Sequence, residues 1–467
     1  MKAYPSYKDS GVPWLELVPE HWEIRRTKYI LKETDRRSND GAEQLLSVSQ
    51  YTGVTPRKTK DDSDIVDSRA RTLVGYKIVQ GDDLVVNIML AWNGSLGVSP
   101  YSGIVSPAYC IYRFSPEVLP KYYHYLYKTD LYKTTFKAYS TGIIESRLRL
   151  YSDKLGRIES LLPSFPEQQQ IARYLDWQTA KINQFTQAKM KLIALLKEQK
   201  QNIINEAVTK GINPDVEMKD SGAEWLGKIP THWEVRKLKT ITKILRGKFS
   251  FRPRNDPSLY DGDYPFIQTG DVARAGKYIT TYKQTLNEKG YLISKEFPKG
   301  TLTMTIAANI GEVAILDYVA CFPDSIVGFV PKETAVDFLY YLFLAMKLEL
   351  ISNAPVNTQG NLNIERVGKI SCSLPPIEEQ QAIVVHIEKE TTLIDKTIAR
   401  TEREIELIQE YRIRLVSDVV TGKMDVRSIE IPDFEPASAD LEVPDDEDSD
   451  LSAEQAGDEL ITEGITA

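Results

Sequence analysis

Over residues 171–207 and again over 383–419, apolar positions recur at alternating steps of four and three. The first series reads Ile171, Leu175, Gln178, Ile182, Phe185, Lys189, Leu192, Leu196, Gln199, Ile203 and Ala207. Shifted by 212 residues, the second reads Ile383, Ile387, Glu390, Ile394, Thr397, Thr401, Glu404, Ile408, Tyr411, Leu415 and Val419. Heptad spacing of this length predicts two long helices, each with one narrow apolar stripe. Pro166 and Glu167 suit the first turn of one helix, Gly211 and Pro214 stop it, and Pro376 and Gly422 frame the other. Over 166–207 such a helix reaches about 63 Å at 1.5 Å per residue. A stripe so narrow needs a partner, so the two helices are expected to pair antiparallel through Ile171, Leu175, Ile182, Phe185, Leu196, Ile203, Ile383, Ile387, Ile394, Ile408 and Leu415. Gln178 with Glu390 and Lys189 with Thr401 are the polar pairs expected to set register.

The blocks before each helix have a different pattern. β-rich runs at 83–89, 104–114, 301–307 and 326–330 lie between Gly, Pro, Asp or Asn, and stretches at 121–139 and 336–350 have helical spacing. Mixed α/β structure follows. Residues 7–30 align without a gap on 218–241, with 13 of 24 positions identical, including Gly11/Gly222, Trp14/Trp225, His21/His232 and Trp22/Trp233. LPSFPEQQQI at 162–171 matches LPPIEEQQAI at 374–383 at nearly the same offset. The chain is one unit of about 210 residues repeated, far longer than a solenoid period. The expected fold class is therefore α/β: two pseudo-repeated mixed α/β recognition domains joined by two long antiparallel coiled-coil helices, a pseudo-twofold dumbbell. The expected divisions are 1–160, a first helix and linker at 161–215, 216–373, a second helix at 374–428 and an acidic tail at 429–467. The long helices are conserved in pattern between the copies while the blocks share little, which suggests one task performed on two different targets.

Charge changes this picture only once it is divided. The chain carries a formal −8, but 433–467 holds 13 acidic residues and no Lys or Arg, which leaves 58 basic against 53 acidic side chains in 1–432. The body is mildly basic, and a polyanionic partner is not excluded. The tail reads as disordered and solubilising. No apolar run is long enough to span a membrane and no secretory leader is evident, so a cytoplasmic protein is expected. Cys110, Cys321 and Cys372 lack metal-ligand or disulfide spacing and are expected to be small buried side chains.

Catalytic signatures are missing. There is no phosphate loop, no Asp/Asn-Pro-Pro-aromatic tetrapeptide of an amino-methyltransferase, and no glycine-rich cofactor loop. His21 and His232, each in a Pro-x-His-Trp-Glu stretch without a neighbouring carboxylate pair, are expected to pack on aromatics as structural residues. A non-catalytic chain without bound metal or cofactor is the expectation. Basic and amide side chains instead gather in the divergent blocks, where Lys and Arg can neutralise phosphate and Arg, Gln and Asn can bond a base edge. The candidate DNA-binding residues in the first copy are Gln50, Tyr51, Arg57, Lys58, Lys60, Lys137, Thr141 and Arg147. In the second they are Arg246, Lys248, Arg252, Arg254, Gln268, Thr269, Arg274, Lys277, Gln359, Asn361 and Asn363. A coiled-coil protein-interaction scaffold remains the alternative, and salt-dependent DNA binding separates the two.

KDSG-x2-WL-x3-P-x-HWE, present twice, together with the repeated LP-x3-EQQ-x-I entry into a long helix, resembles the specificity subunit of type I restriction-modification systems. The likeness spans residues 7–428, and AWNGSLGVSPYSGIVSPAY at 91–109 and TIAANIGEVAIL at 305–316 resemble that family's target recognition domains. The resemblance implies that each block reads one half of a split DNA site in a major groove while the helices act as a ruler. It also implies partners: two methyltransferase subunits carrying S-adenosylmethionine, which modify adenine N6, and two ATP- and Mg-dependent restriction subunits. It gives no account of the acidic tail.

Overall fold

The computed structural model describes residues 2–50, 52–57, 72–144, 147–250, 256–307, 310–352 and 364–434. Two helices dominate, Phe165–Lys210 of 46 residues and Ile377–Val420 of 44. The chain forms two compact units, Met1–Lys189 with Arg403–Ala467, and Met190–Glu402, so that each unit takes half of each helix. In both units the helix halves run antiparallel: Lys189 pairs with Glu404 at 2.7 Å in the first, and Lys200 with Asp395 at 2.6 Å in the second.

The block before each long helix shares four antiparallel strands, to which the second adds a fifth in parallel pairing. In the first unit the strands are β1 (Leu31–Thr34), β2 (Leu46–Ser49), β3 (Gly53–Pro56), β4 (Leu84–Asn87), β5 (Leu96–Val98) and β6 (Tyr109–Phe114). The main sheet has the order β1-β6-β4-β5, and β2 and β3 form a separate hairpin. In the second unit β7 (Thr242–Arg246), β8 (Tyr278–Ile279), β9 (Leu302–Thr305), β10 (Val313–Leu316) and β11 (Ile326–Pro331) form the order β7-β11-β9-β10-β8. The first four positions match across the repeat. A further four-stranded sheet built from 260–266, 284–286, 296–297 and 320–321 has no counterpart among the described residues of the first copy. Helices α1 (Pro120–Tyr127) and α2 (Asp130–Tyr139) follow the first sheet, and α3 (Val336–Ala345) and α4 (Lys347–Ser352) follow the second.

The repeated motifs fold identically and hold one another. The entry segments form hairpins, Tyr7–Asp9 on Leu17–Pro19 and Met218–Asp220 on Lys228–Pro230, and bury Trp22 and Trp233 completely. Buried Gln168 accepts from Leu119 N at 2.7 Å and donates to Pro163 O at 2.8 Å; Gln380 does the same with Ala335 N and Pro375 O. Each glutamine thus ties the start of a long helix to the residue that caps α1 or α3. His21 Nε2 lies 2.9 Å from the Glu167 carboxylate and His232 Nε2 2.8 Å from that of Glu379. The expectation of aromatic packing alone is corrected here, because the carboxylate arrives from the next motif, 146 residues away for His21.

The seam also needs correction. Ile171, Leu175, Ile182, Ile383, Ile387, Ile394 and Leu415 are buried, and Leu196, Ile203 and Ile408 half-buried. Phe185, however, is 41% exposed and Leu192 38%, while Thr179, Thr186, Thr391, Ile398 and Thr401 are buried. A strict heptad selects residues one position early at 178, 185, 390 and 397, because an α-helix of 3.6 residues per turn drifts away from a 3.5 repeat. Glu390 is exposed, and Lys189 pairs with Glu404 rather than with Thr401. Buried hydroxyls of Thr179, Thr391 and Thr401 donate to the carbonyl four residues back, whereas Thr186 Oγ1 has no partner among the described residues.

Candidate nucleic-acid interface

In each unit a loop leaves the central sheet and meets a lysine from the second of the two block helices. In the first, residues 88–95 link β4 to β5 and turn at Gly94, whose φ of 97° is left-handed. A Cβ there would lie 2.8 Å from Lys133 Cε of α2, so the end of the lysine passes close over the glycine. Asn93 Oδ1 accepts from Ser95 N and Oγ, and Trp92 Nε1 donates to Met89 O at 3.0 Å. The Lys137 ammonium lies 5.1 Å from the Trp92 ring centroid, within cation–π reach. In the second unit the loop between β9 and β10 turns at left-handed Gly311, with Lys347 of α4 packed 3.7 Å from a would-be Cβ and paired with Glu312 at 2.7 Å. The two sequence stretches that resemble recognition domains therefore occupy equivalent places. Lys347 was not among the candidate residues; the glycine shared by AWNG and ANIG is the signal that points to it.

The first-unit candidates fall around this loop. Lys137 is exposed on α2, and Thr141 and Arg147 are exposed on the segment that follows, where Thr141 bridges to Arg149. Gln50 is half-buried at the turn of the β2–β3 hairpin, and Arg57, after β3, donates its backbone N–H to Leu45 O. Tyr51, Lys58 and Lys60 lie outside the described residues.

The turn is joined to α1 by a pair of side chains one helical turn apart. His124 Nδ1 accepts from Val98 N of β5 at 3.2 Å, and Lys128 Nζ, just past the helix end, donates to Gln50 O at 3.0 Å and Ser49 O at 3.5 Å. Burial, reinforced by Lys128 and Lys121, lowers the His124 pKa to about 3, so the ring stays neutral and keeps its acceptor. Burial, with Lys133 and Arg412 nearby, lowers Lys128 to about 8.

In the second unit the candidates divide. Arg246 and Lys248 are exposed at and beyond the end of β7, with Arg246 Nε donating to Asp324 O at 2.8 Å. Gln268 caps the short helix Thr269–Arg274 and donates to Gln284 Oε1; Arg274 pairs at 2.7 Å with buried Asp271. Lys277 is drawn into the scaffold, bonded to both Asp337 and Glu388 at 2.6 Å, which neutralise its charge. Arg252, Arg254, Gln359, Asn361 and Asn363 lie outside the described residues. Among the described residues no cluster of His, Cys, Asp or Glu could hold a metal, and no helix is long and apolar enough to cross a membrane. Cys321 and Cys372 are buried and Cys110 half-buried; burial raises the pKa of each thiol.

Two copies of one sheet-and-helix block, each offering a loop, a lysine and polar side chains, define a duplicated recognition protein. Residues 230–409 match the type I restriction modification DNA specificity domain. A putative type I restriction enzyme MjaX specificity subunit from Methanocaldococcus jannaschii is 25% identical over 451 residues, 90% of this chain and 98% of its own length. The MjaVIII specificity subunit of the same organism is 25% identical over 88% of this chain and 95% of its own. A chain in a solved structure of a type I R-M system shares the fold, with a TM-score of 0.65 at 13% identity, over 87% of this chain and 99% of its own. The chain is thus similar over most of its length to the specificity subunits of type I restriction-modification systems, and residues 230–409 match that family's DNA specificity domain.

Proposed function

We propose that the chain reads a bipartite, asymmetric DNA target and directs methyltransferase and restriction subunits to it. The observation that carries this reading is a duplicated scaffold holding unlike inserts: the sheet order repeats, while the β2–β3 hairpin and the extra four-stranded sheet have no counterpart among the described residues. Two equal scaffolds present two different surfaces, which suits two unrelated half-sites. The half-sites would lie about one helical turn apart, about 34 to 36 Å, in successive major grooves, with helix length setting the spacer. S-adenosylmethionine, ATP and Mg would reside on partner subunits, two methyltransferase and two restriction chains, in the cytoplasm. The DNA-contacting residues would be Gln50, Tyr51, Arg57, Lys58, Lys60, Lys137, Thr141 and Arg147 in the first half, with Lys133 beside them. Those of the second would be Arg246, Lys248, Arg252, Arg254, Gln268, Thr269, Arg274, Gln359, Asn361 and Asn363.

The test is equilibrium binding of duplex DNA to the complex of this chain with its methyltransferase subunits, over a series of salt concentrations. Affinity that falls steeply and linearly in log–log form, and that differs between the target and a scrambled duplex, is expected. Equal binding to both duplexes would favour the protein-interaction scaffold.

A further inference from the structure

The first domain holds a cation, Lys128, that has no carboxylate partner among the described residues. Lys128 is half-buried, and its ammonium donates only to two backbone carbonyls, Ser49 O and Gln50 O. No carboxylate lies within ion-pair reach of it among the described residues. The charged groups on every element around it are either like in sign or already engaged. Arg412 of the second long helix and Lys133 of α2 both repel it. The one acid of α2 near it, Asp130, is paired with Lys133 at 3.2 Å. On the first long helix, Asp176 is held by Lys121 of α1 at 2.7 Å and by the Tyr125 hydroxyl at 2.8 Å. His124, on its own helix, is neutral. The described part of the hairpin turn, Ser49, Gln50 and Thr52, carries no charge.

Lys128 therefore stands beside a hairpin turn that carries candidate Gln50, held by two carbonyls of that turn, in surroundings to which Arg412 and Lys133 add positive charge. An ammonium has three donors, and two point at carbonyls of one turn. Carbonyl dipoles hold the cation in place without cancelling its charge, so the arrangement is completed by an anion at its solvent edge.

We propose that Lys128, with Arg412 and Lys133 around it, is a phosphate-binding site of the first recognition domain, where the backbone of the target duplex docks and fixes the β2–β3 turn for reading. This rests on the DNA-reading function proposed above.

The proton linkage gives the site a signature. Burial lowers the Lys128 pKa to about 8; a phosphate bound beside it would raise that pKa, so DNA binding near pH 8 should take up protons and affinity should fall as pH rises through it. The experiment is titration calorimetry of the methyltransferase-bound complex with target and scrambled duplexes at pH 8, in two buffers of different ionisation enthalpy. Wild type should take up about half a proton. Lys128→Arg, which stays charged, should keep the affinity and abolish the uptake. Lys128→Met should weaken both duplexes alike, roughly tenfold, and lower the salt slope by about one. Equal proton uptake by wild type and Lys128→Arg would overturn the site, as would unchanged affinity and salt slope in Lys128→Met. If wild type binds neither duplex, the DNA-reading function itself falls and the site falls with it.

Discussion

Glu167 and Glu379 illustrate how side chains far apart in sequence explain one another. Each opens an EQQ triplet, each receives the histidine of the upstream HWE motif, and the glutamine after each caps the neighbouring block helix. Both motifs were visible as repeats; that they clasp each other was not, because nothing local in either announces a partner about 146 residues away. In the first unit the clasp extends further: Tyr4 Oη donates to Glu167, and Gln170 donates to Val426 O and Ile429 O, which ties residues 424–431 to the same helix start. Arg427 bonds Asp425 and lowers its carboxyl pKa below the usual range. A depressed carboxylate pKa means that this docking is present above the ordinary Asp value and is lost as pH falls through the lowered one. Hydrogen exchange should therefore show residues 423–431 protected at neutral pH, less protected in Asp425→Asn, and deprotected in wild type as the solution passes below about pH 3.9. Buried Trp22 and Trp233 fill the same position in each copy, and replacing either by alanine should cost about 3–5 kcal/mol in denaturant unfolding.

The long helices were legible from spacing alone, ends included, because Pro and Gly mark their limits. Their inward faces were not fully legible, since a heptad template imposes 3.5 residues per turn on helices whose buried positions follow a longer period. The distinction is measurable. Ile182→Ala should destabilise by about 2–5 kcal/mol, whereas Phe185→Ala, on an exposed side chain, should change stability by less than about 0.5 kcal/mol. Thr186→Val should raise stability by about 1 kcal/mol, because it removes a buried hydroxyl that has no partner among the described residues. Thermal melts of the three variants decide the register. A destabilising Phe185→Ala with a Thr186→Val that leaves stability unchanged would restore the heptad. The sheets follow a similar division: β-rich runs indicated strands, but the order β1-β6-β4-β5 and its repetition depend on long-range pairing that alternation along one strand does not encode.

For the whole chain, duplication is the property from which the function follows. It was readable because the motifs flanking each block are nearly identical, and the unlike blocks between them were readable as divergent. What the sequence could not do was sort the cations. Lys277 was indistinguishable from Lys137 by composition, yet two carboxylates claim the former, while the latter is exposed beside Trp92. Lys128 was overlooked because its environment is made by backbone carbonyls of a distant turn. If helix length sets the spacing between half-sites, removing one matched heptad from both long helices should alter the spacer in the methylated motif and leave both half-sites unchanged; an altered half-site would remove the ruler role.

Methylome sequencing of cells that express this chain with its methyltransferase subunit, beside cells that lack only this chain, bears on all of this at once. The account predicts N6-methyladenine in a split, asymmetric motif that appears only when the chain is present. Absence of such a motif, with the same methyltransferase shown to be active alongside another specificity subunit, would contradict it.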